Sequence, residues 1–533
     1  MTKNFDYIIV GAGSSGSVIA SRLSEHSDLK VALLESGGPD RSLFLKMPLA
    51  YRVIRSNLMF DWGYQTDPEP YAEQRVVPAA RGKVLGGSSS VNGMMYSRGH
   101  PSDYDQWAQM GAQGWSYDEV LPYFRKSERN WRGESQVHGG AGPMNVAPST
   151  SDEPIASAVL SAARAMNYRI VDDFDAGDTE GFGLPDRTTT PGRRASSSKA
   201  FLDPARGRAN LKVFTNAHVT RIIIENGRAV GVSVMRNGYL HEMRAEREVI
   251  LCGGAYASPQ LLMLSGIGPA DHLRKSGITP LVDLPGVGQN LQEHPLVPMG
   301  FSVRKTLKFG ARLRADRIAL SAAYWMLTGR GFAASQPLVG LGYYKSRPEI
   351  TRPDLESIFL PTHLNAQVWF PGIRKKVPDM LTSFNVVLRP GSRGFVKLRS
   401  SDPMDRPRIQ FNLLQDPSDL ALMRHAVRWT REFVRQADLA EHVGDEIIPK
   451  PSVQSNSEVD AYIRQMVVTA QHPTSTCRMG NDVDAVVDPD LRVRGVAGLR
   501  VADASVMPTL IGGHTNAPSI MIGEKATDII LST

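Results

Sequence analysis

Near the start of the chain stands the stretch Tyr7-Ile8-Ile9-Val10-Gly11-Ala12-Gly13-Ser14-Ser15-Gly16. Its apolar first part predicts a short buried strand, its glycines predict a tight turn, and the apolar residues that follow recur at helical spacing. A second apolar run, Val31-Ala32-Leu33-Leu34, ends at Glu35, which lies 19 residues beyond Gly16. A strand, a glycine turn, a helix and a second strand ending in a carboxylate are typical of a dinucleotide-binding α/β unit.

Each glycine of this turn has a predicted task. Gly11 makes the turn, Gly13 lets the backbone approach a pyrophosphate, and Gly16 lets the helix pack on the strand. The helix N-terminus then faces the phosphates, and Glu35 binds a pair of ribose hydroxyls. A glycine-rich turn without a ligand is the alternative, which the flanking strand, the helix and the register of Glu35 disfavour.

The composition is that of an ordinary globular protein. Of 533 residues, 41% are hydrophobic, 22% are charged and 7% are aromatic. These values exclude a disordered chain, a collagen and a small disulfide scaffold, and the length predicts several structural units. The formal net charge of +7 is spread along most of the chain, so nucleic acid is not expected as a partner.

The cysteine content and the first residues of the chain predict the cellular compartment. Cys252 and Cys477 are too few for a disulfide framework and lack metal-ligand spacing, so we expect no metal site and a reducing environment. The first residues lack the pattern of a signal peptide, and no run of 18 apolar residues is present. The expected location is therefore cytoplasmic.

The rest of the chain predicts two domains. Strand-like runs of the first sheet return, after an irregular stretch over 36–200, at 211–215, 221–224, 229–235, 249–252 and 499–503. Mixed elements that predict an α+β domain are a helix at 318–328, strands at 356–360, 383–388 and 395–398, and helices at 417–437 and 457–467. A final helix is predicted over 517–531, with Pro518 in its first turn.

Five separated segments carry more specific motifs. They are the unit from Gly11 to Glu35, the run Arg81-Gly82-Lys83-Val84-Leu85-Gly86-Gly87-Ser88-Ser89-Ser90-Val91-Asn92-Gly93, the run from Gly254 to Gly268, the segment from His472 to Gly480, and the segment from Asp503 to Pro518. Together they resemble the glucose-methanol-choline (GMC) family of flavin-dependent oxidoreductases from end to end. The likeness is to its bacterial choline dehydrogenase and alkanol dehydrogenase branch.

The resemblance implies a fold. In that fold a Rossmann-like FAD-binding domain, made of residues 1–150, 205–300 and 471–533, is interleaved with an α+β substrate-binding domain. The substrate-binding domain is then made of residues 151–204 and 301–470. The fold class is α/β.

The resemblance also implies an activity, the oxidation of a primary alcohol to an aldehyde. Such a site needs a base that is free near pH 7, a partner for the alkoxide and a hydride acceptor. His472 stands where the family keeps its base, and Asn516 corresponds to the residue that hydrogen-bonds the alcohol oxygen. An asparagine that only caps a helix is the alternative for Asn516, and both roles can coexist.

FAD is the expected hydride acceptor. A nicotinamide is the generic interpretation of the glycine turn with Glu35, but the other four segments match a flavoprotein. Val91 replaces a histidine that tethers the flavin in some relatives, so we expect non-covalent FAD. The residues expected to bind it are Gly11, Gly13, Ser14, Ser15, Gly16, Glu35, Trp62, Arg81, Gly86, Gly87, Ser88, Asn92, Gly93, Met94, Val219, Asp503, Ala504, Thr515, Asn516 and Pro518. The helix after Pro518 is expected to direct its positive end at the isoalloxazine.

Three departures from the family pattern bear on the substrate. Gln471 stands where relatives often have an aromatic residue, Val339 where the choline branch often has a glutamate, and His514 where an asparagine is common. Without that glutamate, a neutral aromatic or medium-chain primary alcohol is expected. Aromatic residues expected to line the cavity are Trp325, Tyr343, Trp369 and Phe370. The alternatives are choline or another polar alcohol or sugar, a nicotinamide-dependent dehydrogenase, and a flavoprotein that binds without catalysis.

A basic cluster precedes the predicted helix at 318–328. It consists of Arg304, Lys305, Lys308, Arg312, Arg314 and Arg317, with Asp316 as the acidic residue of that stretch. One interpretation is a solvated lid over the substrate cavity. The other is a peripheral contact with an anionic membrane, which suits electron transfer to a quinone rather than to oxygen.

Overall fold

The computed structural model describes residues 3–533, and these residues form two large sheets flanked by helices. In chain order the strands are β1 (Lys3–Val10), β2 (Val31–Leu34), β3 (Glu128–Asn130), β4 (Met144–Val146), β5 (Gly181–Gly183), β6 (Thr189–Thr190), β7 (Arg193–Arg194), β8 (Leu211–Phe214), β9 (His218–Glu225), β10 (Arg228–Arg236), β11 (Tyr239–Leu251), β12 (Ile267–Gly268), β13 (Val282–Asp283), β14 (Pro295–Val303), β15 (Gly340–Tyr344), β16 (Leu355–Leu360), β17 (Met380–Val387), β18 (Phe395–Lys397), β19 (Arg408–Gln410), β20 (Val443–Ile448), β21 (Val468–Thr469) and β22 (Leu499–Val501).

The α-helices alternate with these strands. They are α1 (Ser14–Leu23), α2 (Leu43–Lys46), α3 (Tyr51–Ser56), α4 (Pro101–Gln109), α5 (Tyr117–Ser127), α6 (Ile155–Ala165), α7 (Asp203–Ala205), α8 (Gly254–Leu264), α9 (Ala270–Lys275), α10 (Lys308–Arg312), α11 (Ala315–Thr328), α12 (Pro417–Phe433), α13 (Leu439–His442), α14 (Asn456–Met466) and α15 (Asn516–Leu531). The predicted α/β class is confirmed. The predicted helix at 417–437 ends earlier, at Phe433.

The first sheet contains the N-terminal strand. Its order is β8-β2-β1-β11-β10-β9, and β22 pairs with the end of β11. Strands β8, β2, β1, β11 and β22 run parallel, whereas β9, β10 and the first half of β11 form an antiparallel meander. Val10 pairs with Leu34 and with Leu251. The turns that follow β1, β2 and β11 therefore meet at one edge, where open parallel sheets bind ligands.

The second sheet has the order β20-β14-β17-β16-β15-β5, with β21 pairing with β14. Its neighbouring strands are antiparallel. Successive side chains of a strand point to opposite faces. In β16, Leu355 and Phe359 belong to a core cluster that includes residues of α12, whereas Glu356, Ile358 and Leu360 line a cavity on the other face.

The division into two domains stays a prediction, and the two sheets bear on one of its boundaries. The strands of the first sheet all fall within 1–150, 205–300 and 471–533. Strand β14 begins at Pro295 and belongs to the second sheet, so a boundary at 300 would cut it. After β11 the chain therefore returns to the second sheet at Pro295, because β14 is the strand that pairs with β17.

The basic cluster is largely engaged by other groups of the protein. Arg312 pairs with Asp152, and Arg314 pairs with Asp316 at the start of α11. Helix α11 exposes Leu320 and Leu327 and buries Trp325. Within residues 3–533 no helix is long and apolar enough to cross a membrane.

Candidate active site

A cavity of about 760 Å³ lies between the two sheets. The turns after β1, β2 and β11 form one half, and the exposed face of the second sheet forms the other. The predicted site residues that line it are Gly11, Gly13, Ser14, Ser15, Glu35, Trp62, Arg81, Gly87, Ser88, Asn92, Gly93, Met94, Val219, Gln471, His472, Asp503, Ala504, His514, Thr515 and Asn516. The fold thus brings together residues from both ends of the chain.

Two glycine turns meet in the first half of the cavity. Gly11 has a φ of +104°, and a Cβ there would lie 2.4 Å from the Cys252 carbonyl oxygen. A Cβ on Gly87 would lie 2.8 Å from the Cα of Gly13, so the two turns pack backbone against backbone. A Cβ on Gly13 would meet no protein atom closer than 4.0 Å and would point into open space. Such space suits a ligand that touches backbone.

Glu35 follows β2 at the same edge. Its carboxylate accepts hydrogen bonds from the backbone N–H groups of Ala12 at 3.0 Å and Gly37 at 2.8 Å. Burial raises the pKa of Glu35 to about 7, and these two N–H donors oppose the shift. The carboxylate therefore holds the first glycine turn to the end of β2 while it lines the cavity.

Asp503 links the C-terminal segment to the start of α8. Its carboxylate accepts hydrogen bonds from Gly254 N at 2.8 Å, Ser258 Oγ at 2.6 Å and Ser505 N at 2.8 Å. These contacts explain why an acidic residue follows β22, because the N-terminus of a helix favours a carboxylate.

Three predicted cofactor contacts belong to the packing behind the cavity instead. Gly16, Gly86 and Pro518 are not among the lining residues. A Cβ on Gly16 would lie 2.0 Å from the Gly11 carbonyl oxygen, and Gly86 donates its N–H to Ala12 O at 2.8 Å. Pro518 is buried inside the first turn of α15. Each of these residues packs against neighbouring backbone or core, and its direct contact with FAD stays a prediction.

His472 lies at the junction of the two halves. Its backbone N–H donates to Glu293 Oε1 at 2.6 Å, and its ring Nδ1 lies 3.0 Å from Nδ1 of His294. Burial lowers the pKa of His472 well below its usual value, and the nearby His514, His294 and Arg81 lower it further. The imidazole is therefore neutral near pH 7, as a base must be.

Asn516 is the first residue of α15, and the capping position belongs to Thr515. The Asn516 Oδ1 accepts a hydrogen bond from Ser14 Oγ at 2.8 Å, which joins the N-termini of α15 and α1. The amide Nδ2 makes no hydrogen bond within residues 3–533, so it can donate to a bound oxygen.

His514 and Glu356 form a pair in the cavity. The Nε2 of His514 lies 3.0 Å from Oε1 of Glu356, and its ring centroid lies 4.8 Å from that of His472. Glu356 is 1% exposed. A carboxylate thus faces the cavity and pairs with a histidine that neighbours the base, at a position that sequence reasoning missed.

Apolar side chains cover most of the second half of the cavity. They are Leu296 of β14, Ile358 and Leu360 of β16, Phe384 of β17 and Val468 of β21. Thr362 and Thr382 add hydroxyl groups to this wall. The surface fits a substrate with an apolar body and few polar atoms.

Two predictions about this wall are wrong. Val339 is fully buried in the core on the opposite side, with its N–H bonded to Phe359 O at 2.9 Å. Its identity therefore says nothing about charge in the cavity. None of the four aromatic residues expected to line the cavity does so. Tyr343 is core, and the Trp325 and Trp369 indoles donate to the carbonyl groups of Gly192 and Gly310.

The position of the basic cluster does not support its interpretation as a lid over the substrate cavity. None of the residues 304–328 lines the cavity, although all of them lie in the described part of the chain. Helix α3 and the turn after it supply that side instead, through Tyr51, Arg52, Ile54, Arg55 and Met59 among others. The exposed face of α11 points elsewhere, and its contact with a membrane stays a prediction.

The sequence motifs also did not identify Glu293 and His294 as residues that contact His472. They stand in the run Gln292-Glu293-His294-Pro295, directly before β14. The signal in the sequence was the adjacent pair of titratable residues at the start of an apolar strand, a place where core residues are expected. Burial raises the pKa of Glu293 to about 8 and lowers that of His294 to about 3.

The cavity fits FAD. Gly13 opens its backbone to the cavity, α1 directs its N-terminus there, and Glu35 lines the same half. Val91 also lines the cavity and offers no nucleophile, so non-covalent attachment stays the expectation. Among residues 3–533 no group of three histidine, cysteine or acidic residues is arranged to hold a metal ion.

Comparison with known sequences identifies the family. Its amino-terminal and carboxy-terminal domain models, described as GMC oxidoreductase, match residues 5–296 and 390–523. The chain is 42% identical over 532 residues to an oxygen-dependent choline dehydrogenase of Sinorhizobium fredii, covering 99% of this chain and 95% of the relative. A choline dehydrogenase of the same description from Ectopseudomonas mendocina is 42% identical over 537 residues, covering 99% and 94%.

Solved structures of two oxidases also share the fold of this chain. Pyridoxine 4-oxidase from Mesorbium loti is 30% identical with a TM-score of 0.88, covering 98% of this chain and 99% of that chain. A formate oxidase of Aspergillus oryzae is 30% identical with a TM-score of 0.92, covering 99% of this chain and 98% of that chain. The chain therefore belongs to the glucose-methanol-choline family and is an FAD-dependent oxidoreductase that acts on alcohols.

Proposed function

We propose that this protein oxidises a primary alcohol to its aldehyde, with His472 as the base and Asn516 as the partner of the alcohol oxygen. The observation that carries the proposal is the neutral imidazole of His472 in a cavity that also holds the free amide N–H groups of Asn516. When bound, FAD supplies the acceptor for the hydride.

The two side chains divide the work on the hydroxyl group. The Nε2 of His472 takes the hydroxyl proton, and removal of that proton places negative charge on the oxygen. The Asn516 amide donates to this oxygen without titrating. Because Ser14 holds Oδ1 of Asn516, the amide is oriented before the substrate arrives.

The preferred substrate in this proposal is a neutral aromatic or medium-chain alcohol. The apolar wall of Leu296, Ile358, Leu360 and Phe384 supports it, because burial of an apolar body contributes about 25 cal/mol per Å². Glu356 is the carboxylate on this side, and it is already paired with His514. Pairing lowers its value as a counter-ion for a cationic substrate.

Choline is the second candidate. Two observations favour it: the relatives at 42% identity are named choline dehydrogenases, and Glu356 brings a carboxylate to the cavity. The absence of a glutamate at Val339 does not count against choline, because Val339 lies in the core.

Oxygen is the proposed electron acceptor. The name of the relatives, oxygen-dependent choline dehydrogenase, supports it. A quinone acceptor at a membrane is the alternative, and the exposed apolar residues of α11 beside basic side chains favour it. Turnover measured with dissolved oxygen and with a soluble quinone separates these two acceptors.

The substrate is tested by mixing the holoenzyme anaerobically with benzyl alcohol, hexan-1-ol and choline and following the loss of flavin colour. We expect the ratio of reduction rate to dissociation constant to be higher for both neutral alcohols than for choline. A matched Glu356→Gln variant separates charge from shape, because the amide keeps the size of the carboxylate. Preferential reduction by choline that disappears in Glu356→Gln would establish the second candidate instead.

A further inference from the structure

The segment Gln292–His294 runs alongside the segment that carries His472. Thr474 N donates to Gln292 O at 3.0 Å, and Ala470 N donates to His294 O at 3.0 Å. The backbone of His472, between these two contacts, donates its N–H to Glu293. The base is therefore held from one side by a single short stretch of chain.

The rings of His472 and His294 continue this contact in a directed chain of hydrogen bonds. His294 Nε2 lies 3.0 Å from Leu388 O, and a carbonyl oxygen can only accept. Nε2 of His294 therefore carries a proton, and the backbone of Ile511 is a second acceptor beside this ring. Burial lowers the pKa of His294 to about 3, so the ring is neutral and its Nδ1 carries none.

The proton between the two histidines must then belong to His472. Nδ1 of His294 is bare and accepts, so Nδ1 of His472 donates across the 3.0 Å separation. A neutral imidazole has one N–H, which leaves Nε2 of His472 with a lone pair. This Nε2 has no hydrogen-bond partner within residues 3–533.

We infer that His294 is a positioning residue that fixes His472 in the tautomer whose Nε2 is free to take the hydroxyl proton. The inference rests on the proposed role of His472 as the base. The two rings stand at 89° to each other, so the contact fixes the orientation of the base as well as its tautomer.

The hydrogen bonds from His472 through His294 to Leu388 also affect His472 after it has taken up the proton. Once Nε2 of His472 is protonated, Nδ1 still donates to His294, and the Leu388 carbonyl polarises that acceptor. No carboxylate bonds the His472 ring within the described residues, because the Glu293 carboxylate holds the backbone instead. A neutral acceptor orients the base without raising its pKa, as an adjacent carboxylate would do.

The test compares His294→Leu with His294→Gln. Leucine removes the acceptor, whereas glutamine has an oxygen that can accept from His472 and an N–H that can donate to Leu388. We expect the limiting rate of flavin reduction to fall about 10- to 100-fold in His294→Leu, as for lost orienting partners elsewhere. The alcohol dissociation constant and FAD content should change little, and His294→Gln should recover most of the rate. His241→Leu, at an exposed position on β11, is the control.

A double-mutant cycle with His472→Ala separates this inference from the proposed function. If His294 acts through His472, His294→Leu costs nothing further once the base is gone. If His472→Ala loses the rate but His294→Leu keeps the wild-type rate and pH profile, the inference about His294 is wrong. The proposed role of His472 as the base then still stands. A His472→Ala variant at wild-type rate would overturn the proposed base.

Nitrogen-15 NMR of histidine-labelled wild-type protein provides a readout that needs neither turnover nor a stable His294 variant. The signals of His472 are assigned by their loss in His472→Gln. We expect its Nδ1 to be protonated and its Nε2 bare, over the pH range in which burial and the nearby His514, His294 and Arg81 keep the ring neutral. A proton on Nε2 of neutral His472 contradicts the inference.

Discussion

Gly13 shows at the level of one residue how the cofactor site depends on a missing side chain. Its backbone is extended, a conformation that any residue adopts, and an added Cβ would meet no protein atom closer than the Cys252 carbonyl oxygen at 4.0 Å. The absence of a side chain at this position therefore serves the ligand rather than the fold.

Gly13→Val should accordingly fold but fail to retain FAD, because its methyl groups occupy the space of the pyrophosphate. The measurement is the ratio of FAD to protein after purification, together with the melting temperature of the apoprotein. Gly207→Val is the matched control, since a Cβ there also meets nothing within 4 Å but lies away from the cavity. A yellow, active Gly13→Val protein would remove this assignment.

The pKa of His472 makes a prediction about pH. The neutral ring is the reactive form, and burial with His514, His294 and Arg81 lowers its pKa well below 6.5. Protonation therefore begins only at more acidic pH than for an ordinary histidine. The limiting rate of flavin reduction should stay on its plateau as the pH falls through 6.5 and decline only at more acidic pH. An inflection above pH 7, with the flavin spectrum unchanged, would contradict the assignment.

The periodicity of the sequence predicted the elements well, and the motifs predicted most of the residues at the cofactor half. The apolar runs at 7–10 and 31–34 became β1 and β2, because a strand buried on both faces is marked by its own residues. Glu356 was not predictable in this way. Its carboxylate reaches the cavity only because β16 pairs between β15 and β17 in one register, which places even-numbered residues on that face.

The same limit explains the wrong placement of Val339. A family alignment puts it near a substrate contact, but the face of a strand that a residue occupies depends on pairing. His294 shows a related limit, since its partners Leu388 and His472 are distant in sequence. Tertiary pairings of this kind are not written in local spacing.

At the level of elements, the close packing of α1 on α15 places both helix N-termini at the cavity. Ser15 Oγ donates to Ser519 O at 2.7 Å, and a Cβ on Gly523 would lie 2.8 Å from Ser15 O and 2.9 Å from Val18 Cβ. No larger residue fits between the two helices without displacing backbone.

Gly523→Ala should therefore lower the free energy of unfolding by about 1–3 kcal/mol, the range for overpacked sites. Because α1 and α15 carry Ser14 and Asn516, we also expect weaker FAD retention. Urea unfolding of the apoprotein and FAD titration measure the two effects. Gly207→Ala, in open space, is the control. Unchanged stability in Gly523→Ala would show that the helices can separate at little cost.

For the whole molecule, the cavity joins two sheets with different tasks. The first sheet offers the glycine turns and Glu35, and the second offers the apolar wall and Glu356. His472 lies on the segment that returns from β21 to β22, between the second sheet and the first. The chain crosses four times between the sheets to build one site, which explains why the family motifs are spread from Gly11 to Pro518.

Anaerobic stopped-flow reduction of bound FAD by saturating benzyl alcohol, in wild type and in His472→Ala, tests the central claim most directly. We predict that both proteins carry FAD and that the variant is reduced about 100- to 10,000-fold more slowly, the usual contribution of base catalysis. Reduction of the variant at nearly the wild-type rate would contradict the role of His472. Wild-type flavin that no alcohol reduces would contradict the proposed reaction itself.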